Sequence, residues 1–450
     1  MKAFKAYDIR GVWGRDFDGD TVYRIGFHLP ALLEAERVLV GYDCRESTPE
    51  IFDELSRGIM DSGAGVVEMG FATTPMVYYA TAARGFDASV QITASHNSRE
   101  YNGLKISRTG SLPVGYDTGL KQLEEMVMSR PVQPAAFRGD RVRIPGIREE
   151  YVSFLTGFLE DLSRLRIAVD CSNGMASLIA GDVLGKGPRF IFDTMDGRFP
   201  NHQPNPLDEE NTRQLKQLVL EEGMDVGVIF DGDGDRVMFI DERGRFVRPD
   251  IMTAVLGLHY LSGAAERVLH DIRTSRGVIE FIERMGGRPF MWKVGHSHAK
   301  MKMREIGAVY GGELAGHYYF RDFYSCDSGM LAAVLALNIL AERKEGGKGF
   351  ADLVDSVNLY ANSGEINFRT DDKASVMEAL RIHFSSIEEP SAYYDFDGYR
   401  MEFPNWWFNV RPSNTEPYLR LVVEAADHGI LSARLAEIRG IVLEKGGSEA

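Results

Sequence analysis

Short runs of apolar residues alternate with amphipathic segments over most of the chain. Six of these runs, at 37–41, 65–69, 165–169, 225–230, 267–270 and 289–292, have the length and apolar character of buried strands. They come in pairs, two in each of three successive stretches of sequence. This arrangement predicts three α/β units.

The ends of three of these strands share a pattern. An Asp closes or follows the strand and a polar turn comes next, at Asp43, Asp170 and Asp271. A spacing of roughly 100–130 residues between them indicates a triplicated unit. The alternative is chance recurrence, because Asp and Ser favour strand-to-helix turns in any α/β protein.

The composition changes after the glycine-rich stretch 344–349. From about Glu365 the pattern is a strand, a helix, a β-rich pair between 399 and 424, and a terminal helix from Ile430, which predicts a separate α+β domain. The sequence therefore predicts four domains, at 1–140, 141–245, 246–355 and 356–450. Several domains also fit the length, because 450 residues are too many for one core.

Composition and charge narrow the class of protein. Hydrophobic residues make up 44%, as in globular proteins, and no apolar run reaches the roughly 18–20 residues of a membrane span. The N-terminus lacks the apolar stretch of a secretory signal and the three cysteines form no paired motif, so we expect a cytoplasmic protein. A net charge of −15 argues against nucleic acid or an anionic membrane as partner.

The most specific chemical motif is Asp231-Gly-Asp-Gly-Asp-Arg236, directly after an apolar strand. Alternate carboxylates on a regular strand would stand about 6.6 Å apart, but the interleaved glycines permit a loop in which Asp231, Asp233 and Asp235 converge. Such a cluster repels itself without a cation, and Mg²⁺ prefers oxygen ligands. An EF-hand loop does not fit, because its sixth position is Arg236 rather than Gly.

A serine follows another predicted strand, at 88–92. In Thr93-Ala-Ser95-His-Asn97 the two positions that are glycine in a serine-hydrolase elbow are Thr and Asn, so that interpretation is weak. A turn-forming serine is the common alternative. A polar loop near the C-terminus, Arg411-Pro-Ser-Asn-Thr415, favours a phosphate ligand, since it gathers a guanidinium, hydroxyls, an amide and backbone N–H groups. By itself that loop could be an ordinary hairpin.

The segment Gly311-Gly-Glu-Leu-Ala-Gly-His317 has the composition of a loop that contacts sugar hydroxyls. Its glycines allow close approach of the backbone, while Glu313 and His317 can hydrogen-bond vicinal hydroxyls. Glycine-rich turns with one acid and one histidine are also frequent where no ligand binds.

These four segments, in their order along the chain, resemble the α-D-phosphohexomutase superfamily, most closely its bacterial phosphomannomutase/phosphoglucomutase type. The similarity extends from Tyr7-Asp-Ile-Arg-Gly11 to the loop at 411–415. It implies an α/β fold with four domains in a heart-shaped arrangement. Three of them would be related α/β domains, and the C-terminal one a TBP-like α+β domain.

The resemblance also implies roles for individual residues. Ser95 would be the phosphoserine and would hold Mg²⁺ together with Asp231, Asp233 and Asp235. Lys105, Arg236 and His296 would act beside the transferring group. The implied substrate-binding residues are Tyr7, Arg10, His96, Arg273, His296, Glu313, Leu314, Ala315, Gly316, His317, Arg411, Pro412, Ser413, Asn414 and Thr415.

The implied reaction interconverts the 1-phosphate and 6-phosphate of mannose, and also of glucose, through phosphoserine and a hexose 1,6-bisphosphate that also serves as activator. The partners would be small sugar phosphates, and the chain a monomer or weak homodimer. Ala315 and Arg273 stand where the family usually has Ser and Lys, which bears on substrate preference. One alternative is a phosphoglucosamine mutase, although Leu314 stands where that branch usually has Gln. Another is a non-catalytic sugar-phosphate sensor on the same scaffold.

Overall fold

The computed structural model describes residues 1–261, 263, 265–413 and 418–450. Over these residues the chain forms four sheets that follow one another along the sequence, and we number the corresponding units one to four. All six apolar runs predicted as strands are strands, and their ends differ from the prediction by at most two residues. No helix in the described part of the chain is long and apolar enough to cross a membrane.

Unit one is built on a mixed sheet. Its strands are β1 (Ile9–Val12), β2 (Arg37–Tyr42), β3 (Gly65–Phe71), β4 (Ala88–Ile92), β5 (Tyr101–Arg108), β6 (Leu112–Pro113) and β7 (Arg141–Arg143). Its helices are α1 (Gly19–Leu33), α2 (Thr48–Asp61), α3 (Thr74–Ala83) and α4 (Leu120–Ser129). Strand β7 pairs with β3 in this sheet, although it lies just beyond residue 140, the predicted end of the first domain.

Units two and three have five-stranded sheets within the described residues. Unit two contains α5 (Ile147–Thr156), β8 (Ile167–Asp170), α6 (Ala180–Leu184), β9 (Arg189–Ile191), α7 (Arg213–Glu222), β10 (Val226–Phe230), β11 (Val237–Asp241) and β12 (Phe246–Val247). Unit three contains α8 (Pro249–Tyr260), β13 (Arg267–Asp271), α9 (Arg276–Arg284), β14 (Arg288–Trp292), α10 (His296–Ile306), β15 (Tyr310–Gly312), β16 (Tyr318–Phe320), β17 (Cys326–Asp327), α11 (Gly329–Glu345) and α12 (Phe350–Val357).

One strand order recurs in these three units. The orders β5-β4-β2-β3, β11-β10-β8-β9 and β16-β15-β13-β14 correspond, with the first strand antiparallel and the others parallel. The recurrence supports the triplicated unit. It also makes three loops equivalent, because the serine loop joins β4 to β5, the aspartate loop joins β10 to β11, and the glycine-rich loop joins β15 to β16. All three lie beyond the carboxyl ends of parallel strands, where α/β proteins bind ligands.

Unit four is an antiparallel sheet with two helices in the described residues. It contains β18 (Ala361–Arg369), α13 (Lys373–Ile387), β19 (Ala392–Tyr394), β20 (Tyr399–Phe403), β21 (Trp406–Pro412), β22 (Tyr418–Ala425), α14 (His428–Glu444) and β23 (Ser448–Glu449). The predicted β pair between 399 and 424 is wrong: the segment forms three strands, because Pro404 and Asn405 make a turn inside it.

Two helices join the first three units. Helix α11 is buried along most of its length and is apolar on all sides, as expected of a helix enclosed by protein. Helix α3 belongs to unit one, yet its apolar residues pack into the core of units two and three. Thr73 caps its first turn by accepting a hydrogen bond from the Met76 amide. The Thr74 amide in the same turn donates to the Asp233 carbonyl at 3.0 Å, which fixes the N-terminus of α3 next to the aspartate loop.

Candidate active site

Ser95 lies in the loop between β4 and β5, and its side chain is buried. Its φ of 52° is in the left-handed region, which residues other than glycine rarely adopt. The Ser95 amide donates to Thr93 Oγ1 at 2.9 Å, and the Ser95 hydroxyl donates to Asp231 Oδ2 at 2.8 Å. The structure therefore brings the predicted phosphoserine of unit one to the predicted metal loop of unit two.

The three aspartates of this loop converge. Asp231, Asp233 and Asp235 have no exposed surface, and one oxygen from each lies within 4.8 Å of the others. Gly234 permits this turn with a φ of 75°. The buried Oδ1 atoms of Asp233 and Asp235 accept no hydrogen bond from any described residue. Buried acceptors normally have a partner, so the donor set fits a divalent cation with oxygen ligands.

One ammonium group lies against these carboxylates. Lys105 Nζ is 2.7 Å from Asp233 Oδ2 and also donates to Asp235. Burial lowers the pKa of Lys105, but the field of Asp233 and Asp235 outweighs it, so its pKa is raised and the amine stays charged. Burial, reinforced by Asp233 and Asp235, raises the pKa of Asp231 well above its usual value. Arg236 Nε is 3.8 Å from Asp231 Oδ2 and 3.9 Å from Asp235 Oδ1, so two cations face three acidic groups, which leaves room for further positive charge.

Arg236 is held by a relay of side chains. Its Nε donates to His317 Nε2 at 3.0 Å. A guanidinium can only donate, so Nε2 accepts and Nδ1 carries the proton that His317 donates to Asp327 at 2.6 Å. The other oxygen of Asp327 is 2.7 Å from Lys300 Nζ, and neither residue of that pair has exposed surface. His317, predicted to contact sugar, thus orients Arg236 in this structure.

His296 begins α10, and its buried ring lies between those of Tyr7 and His317, with centroids 5.7 Å from each. Neither ring nitrogen has a hydrogen-bond partner among the described residues. Burial, followed by the charge of Lys300, lowers its pKa well below the usual value, so the ring is neutral. Tyr7 packs edge-on against it, with ring centroids 5.7 Å apart, and donates its phenol hydrogen to the Val294 carbonyl at 2.9 Å. A neutral imidazole with free nitrogens can accept a proton from a ligand.

His96 and Arg10 lie beside the serine. A ring nitrogen of His96 is 3.4 Å from Ser95 Oγ, and burial, then Arg236, lowers the pKa of His96 well below its usual value. Arg10 donates to Asn97 Oδ1 at 2.8 Å and pairs with Asp8. Both predicted residues are therefore at the serine loop.

Hydrogen bonds from neighbouring elements fix Glu313 in the glycine-rich loop. Both carboxylate oxygens of Glu313 accept hydrogen bonds within the chain, from the Gly295 amide at 2.6 Å and from the Tyr319 phenol at 2.5 Å. Ala315 is partly exposed at the tip, and Gly316 turns the loop with a φ of 83°. The loop can still form hydrogen bonds with a ligand through the remaining lone pairs of Glu313 and through the backbone at its tip.

Arg273 connects units three and four. It forms a two-bond pair with Asp271, and its third nitrogen donates to Glu365 of unit four at 2.9 Å. Asp271 also accepts from the Leu314 amide at 2.8 Å. Burial alone would lower the pKa of Arg273, but Asp271 and Glu365 outweigh burial and raise it. Arg273 is thus linked to the glycine-rich loop on one side and to unit four on the other.

The predicted phosphate clamp begins at the end of β21. Arg411 is buried there, with Nη2 at 3.9 Å from a Glu365 oxygen. Pro412 is exposed, and the Ser413 amide donates to the Tyr418 carbonyl at 2.8 Å. Asn414 and Thr415 lie outside the described residues. Through Glu365, Arg411 is a neighbour of Arg273.

Several residues at the site were not predicted from the sequence. Thr74, the first residue of α3, donates to Asp233 Oδ2 at 2.5 Å. Arg45 bonds to the serine loop, and Asp327 and Lys300 support His317. For Arg45 a signal existed, because it belongs to the recurrent strand-end pattern that begins at Asp43. For the others a side chain distant in sequence meets a loop, and no local pattern marks it.

Family models match the chain in four consecutive pieces. Models described as phosphoglucomutase/phosphomannomutase alpha/beta/alpha domains I, II and III match residues 1–130, 149–244 and 248–360, and a model of the C-terminal domain matches 365–441. The chain belongs to the phosphoglucomutase/phosphomannomutase family. The predicted family and four-domain fold are thereby confirmed.

Relatives of nearly equal length agree. A phosphomannomutase of Salmonella montevideo is 35% identical over 453 residues, which are 97% of this chain and 98% of that protein. A protein named phosphohexose mutases from Xanthomonas campestris pv. campestris is 36% identical, covering 98% of this chain and 99% of the relative. The crystal structure of a Burkholderia thailandensis family member superposes with a TM-score of 0.90 at 28% identity, over 100% of this chain and 99% of that one. The predicted enzyme class, a hexose phosphate mutase, is confirmed.

Proposed function

We propose that this chain is a phosphomannomutase that also accepts glucose phosphates, and that Ser95 carries the phosphoryl group. One observation carries the proposal. The Ser95 hydroxyl, held in a left-handed turn, lies 2.8 Å from a carboxylate of the three-aspartate cluster. A nucleophile presented to a cation site of this kind suits phosphoryl transfer, which depends on positioning and charge neutralisation more than on covalent chemistry.

Asp231, Asp233 and Asp235 would hold Mg²⁺, together with an oxygen of the phosphorylated Ser95. When bound, the ion offsets negative charge on the phosphoryl group that is transferred. Lys105 and Arg236 add positive charge at the same point, the first against Asp233 and the second fixed by His317.

The reaction is written for mannose 1-phosphate. The sugar O6 attacks the phosphorus of phospho-Ser95, so an O6–P bond forms and the bond from phosphorus to Ser95 Oγ breaks; the O6 proton passes to a base, and Ser95 Oγ takes up a proton as it leaves. His296 suits that base, because both of its ring nitrogens lack partners in the described part of the chain. The 1,6-bisphosphate then reorients, Ser95 Oγ gives up its proton and attacks the phosphorus on O1, the O1–P bond breaks, and O1 receives a proton. Mannose 6-phosphate leaves. Added hexose 1,6-bisphosphate would act as activator by phosphorylating Ser95.

The reorientation of the hexose 1,6-bisphosphate limits selectivity between mannose and glucose. O3 and O4 roughly exchange places in it, so a loop such as 313–317 can contact them in both poses, whereas O2 has no equivalent. Mannose and glucose differ at O2, so we expect weak discrimination between them. Ala315 lacks the hydroxyl that the family usually has there, and one missing hydrogen bond is worth about 1 kcal/mol.

A coupled assay with mannose, glucose and glucosamine 1-phosphates, Mg²⁺ and glucose 1,6-bisphosphate tests the proposal. We expect turnover of the first two sugars and a one-phosphoryl mass gain on the intact protein. Ser95→Ala should lose both, and Ser98→Ala, on the same loop and bonded to exposed Glu100, should keep both. A preference for glucosamine would refute the substrate assignment. A protein that binds the bisphosphate without mass gain would be a sensor.

A further inference from the structure

The buried guanidinium of Arg45 uses every donor it has. A guanidinium offers five N–H groups in a rigid plane. One of them goes to the Asp43 carboxylate at 3.0 Å. The other four go to backbone carbonyls of the serine loop, those of Ser95 at 2.8 Å, Asn97 at 2.7 Å, Ser98 at 2.7 Å and Tyr101 at 3.0 Å. One side chain therefore holds the loop around Ser95.

The loop has a shape that requires such support. Ser95 has a φ of 52°, a strained value for this residue. Four carbonyl oxygens that converge on one point repel one another unless a group with several donors lies among them. The aspartate loop also packs closely against the Ser95 carbonyl, because a Cβ at Gly232 would stand 2.4 Å from its oxygen. The serine is held between Arg45 and Gly232.

Arg45 is itself fixed on two sides. The second oxygen of Asp43 accepts from the Arg45 amide and from Thr48 Oγ1, both at 3.0 Å. On the other side, unit two covers the guanidinium with the ring of Phe199, whose centroid is 5.0 Å away. Gly197 is packed so closely that a Cβ there would lie 2.2 Å from the Cys44 carbonyl oxygen. The units that supply the serine and the aspartates thus meet at Arg45.

The residues at the equivalent positions in the other two repeats contact different partners. In unit three the Asp271–Arg273 pair has the same spacing, but its free nitrogen points to Glu365 of unit four. In unit two Ser172 occupies the arginine position, and Asp170 pairs with His202 at 3.1 Å instead. The structure describes these positions in all three repeats. Only in unit one does the arginine bind the loop that is equivalent to the serine loop in its own unit.

We propose that Arg45, oriented by Asp43, is a positioning residue for the reaction: it fixes the backbone of Ser95 so that Oγ faces the transferring phosphoryl group. The inference rests on the proposed role of Ser95. All five N–H groups of the Arg45 guanidinium are used within the chain, so none is left to bind a substrate. Most of the residues expected to hold the sugar and its other phosphate, those from Arg273 onward, lie in units three and four, so loss of Arg45 affects kcat and the phosphorylation of Ser95 while KM stays nearly unchanged.

The test compares Arg45→Lys and Arg45→Ala with Arg24→Ala, whose arginine also donates to two backbone carbonyls of unit one but at Val127 and Arg130. The readouts are kcat, KM and the rate at which glucose 1,6-bisphosphate phosphorylates Ser95, measured by intact mass on the folded full-length chain. Both Arg45 variants should lose about 100-fold in kcat and in phosphorylation rate, as for a nucleophile displaced by about 1 Å. KM should stay within about threefold. Arg24→Ala should match the wild type.

Chemical rescue separates positioning from folding. Millimolar guanidinium ion should restore activity several-fold in Arg45→Ala and leave Arg24→Ala unchanged, since the ion can occupy the vacated site. If Arg45→Ala does not fold, Arg45→Lys decides, because lysine keeps the charge but has three donors rather than five.

Two results would overturn the inference: kcat within about threefold of wild type in Arg45→Lys, or a loss that falls on KM. Failure of the proposed function has a different signature. In that case the wild type itself would not turn over hexose phosphates, or Ser95→Ala would remain active.

Discussion

Thr74 provides a direct test of how the aspartate loop is supported. Its hydroxyl donates to Asp233 Oδ2 at 2.5 Å, and its amide donates to the Asp233 carbonyl at 3.0 Å. Thr74→Val keeps the shape of the side chain and the amide bond, and removes only the hydroxyl donor. A hydrogen bond to a charged group contributes about 1.5–3 kcal/mol. At about 1.4 kcal/mol per factor of ten, Mg²⁺ affinity should fall about 10- to 100-fold, the range typical of residues that orient metal ligands.

The measurement is the Mg²⁺ concentration that gives half-maximal rate, with saturating sugar phosphate. Thr81→Val is the matched control: Thr81 is at the other end of the same helix and is equally buried, and its hydroxyl bonds to the Val77 carbonyl at 2.6 Å and to Ser89 Oγ at 2.7 Å rather than to an aspartate. We expect the control to lose stability but keep the Mg²⁺ requirement of the wild type. The reasoning is refuted if Thr74→Val keeps that requirement, or if Thr81→Val shifts it equally.

Two further predictions concern stability. Burial lowers the pKa of His270 to about 4, against about 6.5 when unfolded, so the unfolded chain binds the proton first and stability falls as pH drops through this window. Between about pH 7 and pH 5 the wild type should lose about 2 kcal/mol more than His270→Asn in urea unfolding, and equal losses would contradict the assignment. Asp327→Asn leaves the buried Lys300 ammonium unpaired and should cost about 3–5 kcal/mol. Adding Lys300→Met should recover most of this loss, and a double variant no more stable than the single one would contradict it.

The sequence predicts best those features whose cause is local. The apolar run at 226–230 followed by Asp231, Asp233 and Asp235 needs no information from elsewhere to indicate a strand and a cation loop, because repulsion among close carboxylates is a property of the motif itself. The structure brings these aspartates to Ser95, as the resemblance implies. The turn at Pro404 and Asn405 was also local, and the predicted pair of strands was wrong because this break was not recognised.

Other features depend on contacts between distant segments. Arg45 is an ordinary polar residue in the sequence, since its acceptors are backbone carbonyls about fifty positions away. Glu313 was predicted to contact sugar hydroxyls, but which of its lone pairs are free depends on Gly295 and Tyr319, which lie on other elements. Such pairings arise only once the sheets and helices are packed.

The left-handed backbone at Ser95 restricts which nucleophile this position can carry. Threonine has the same kind of oxygen, but a β-branched side chain is strongly disfavoured at positive φ. Asparagine and glycine tolerate that conformation, so they would preserve the loop while removing the nucleophile. Of the two aliphatic alcohols among the amino acids, serine alone suits both main chain and chemistry, and a threonine variant should fail for conformational reasons before its reactivity matters.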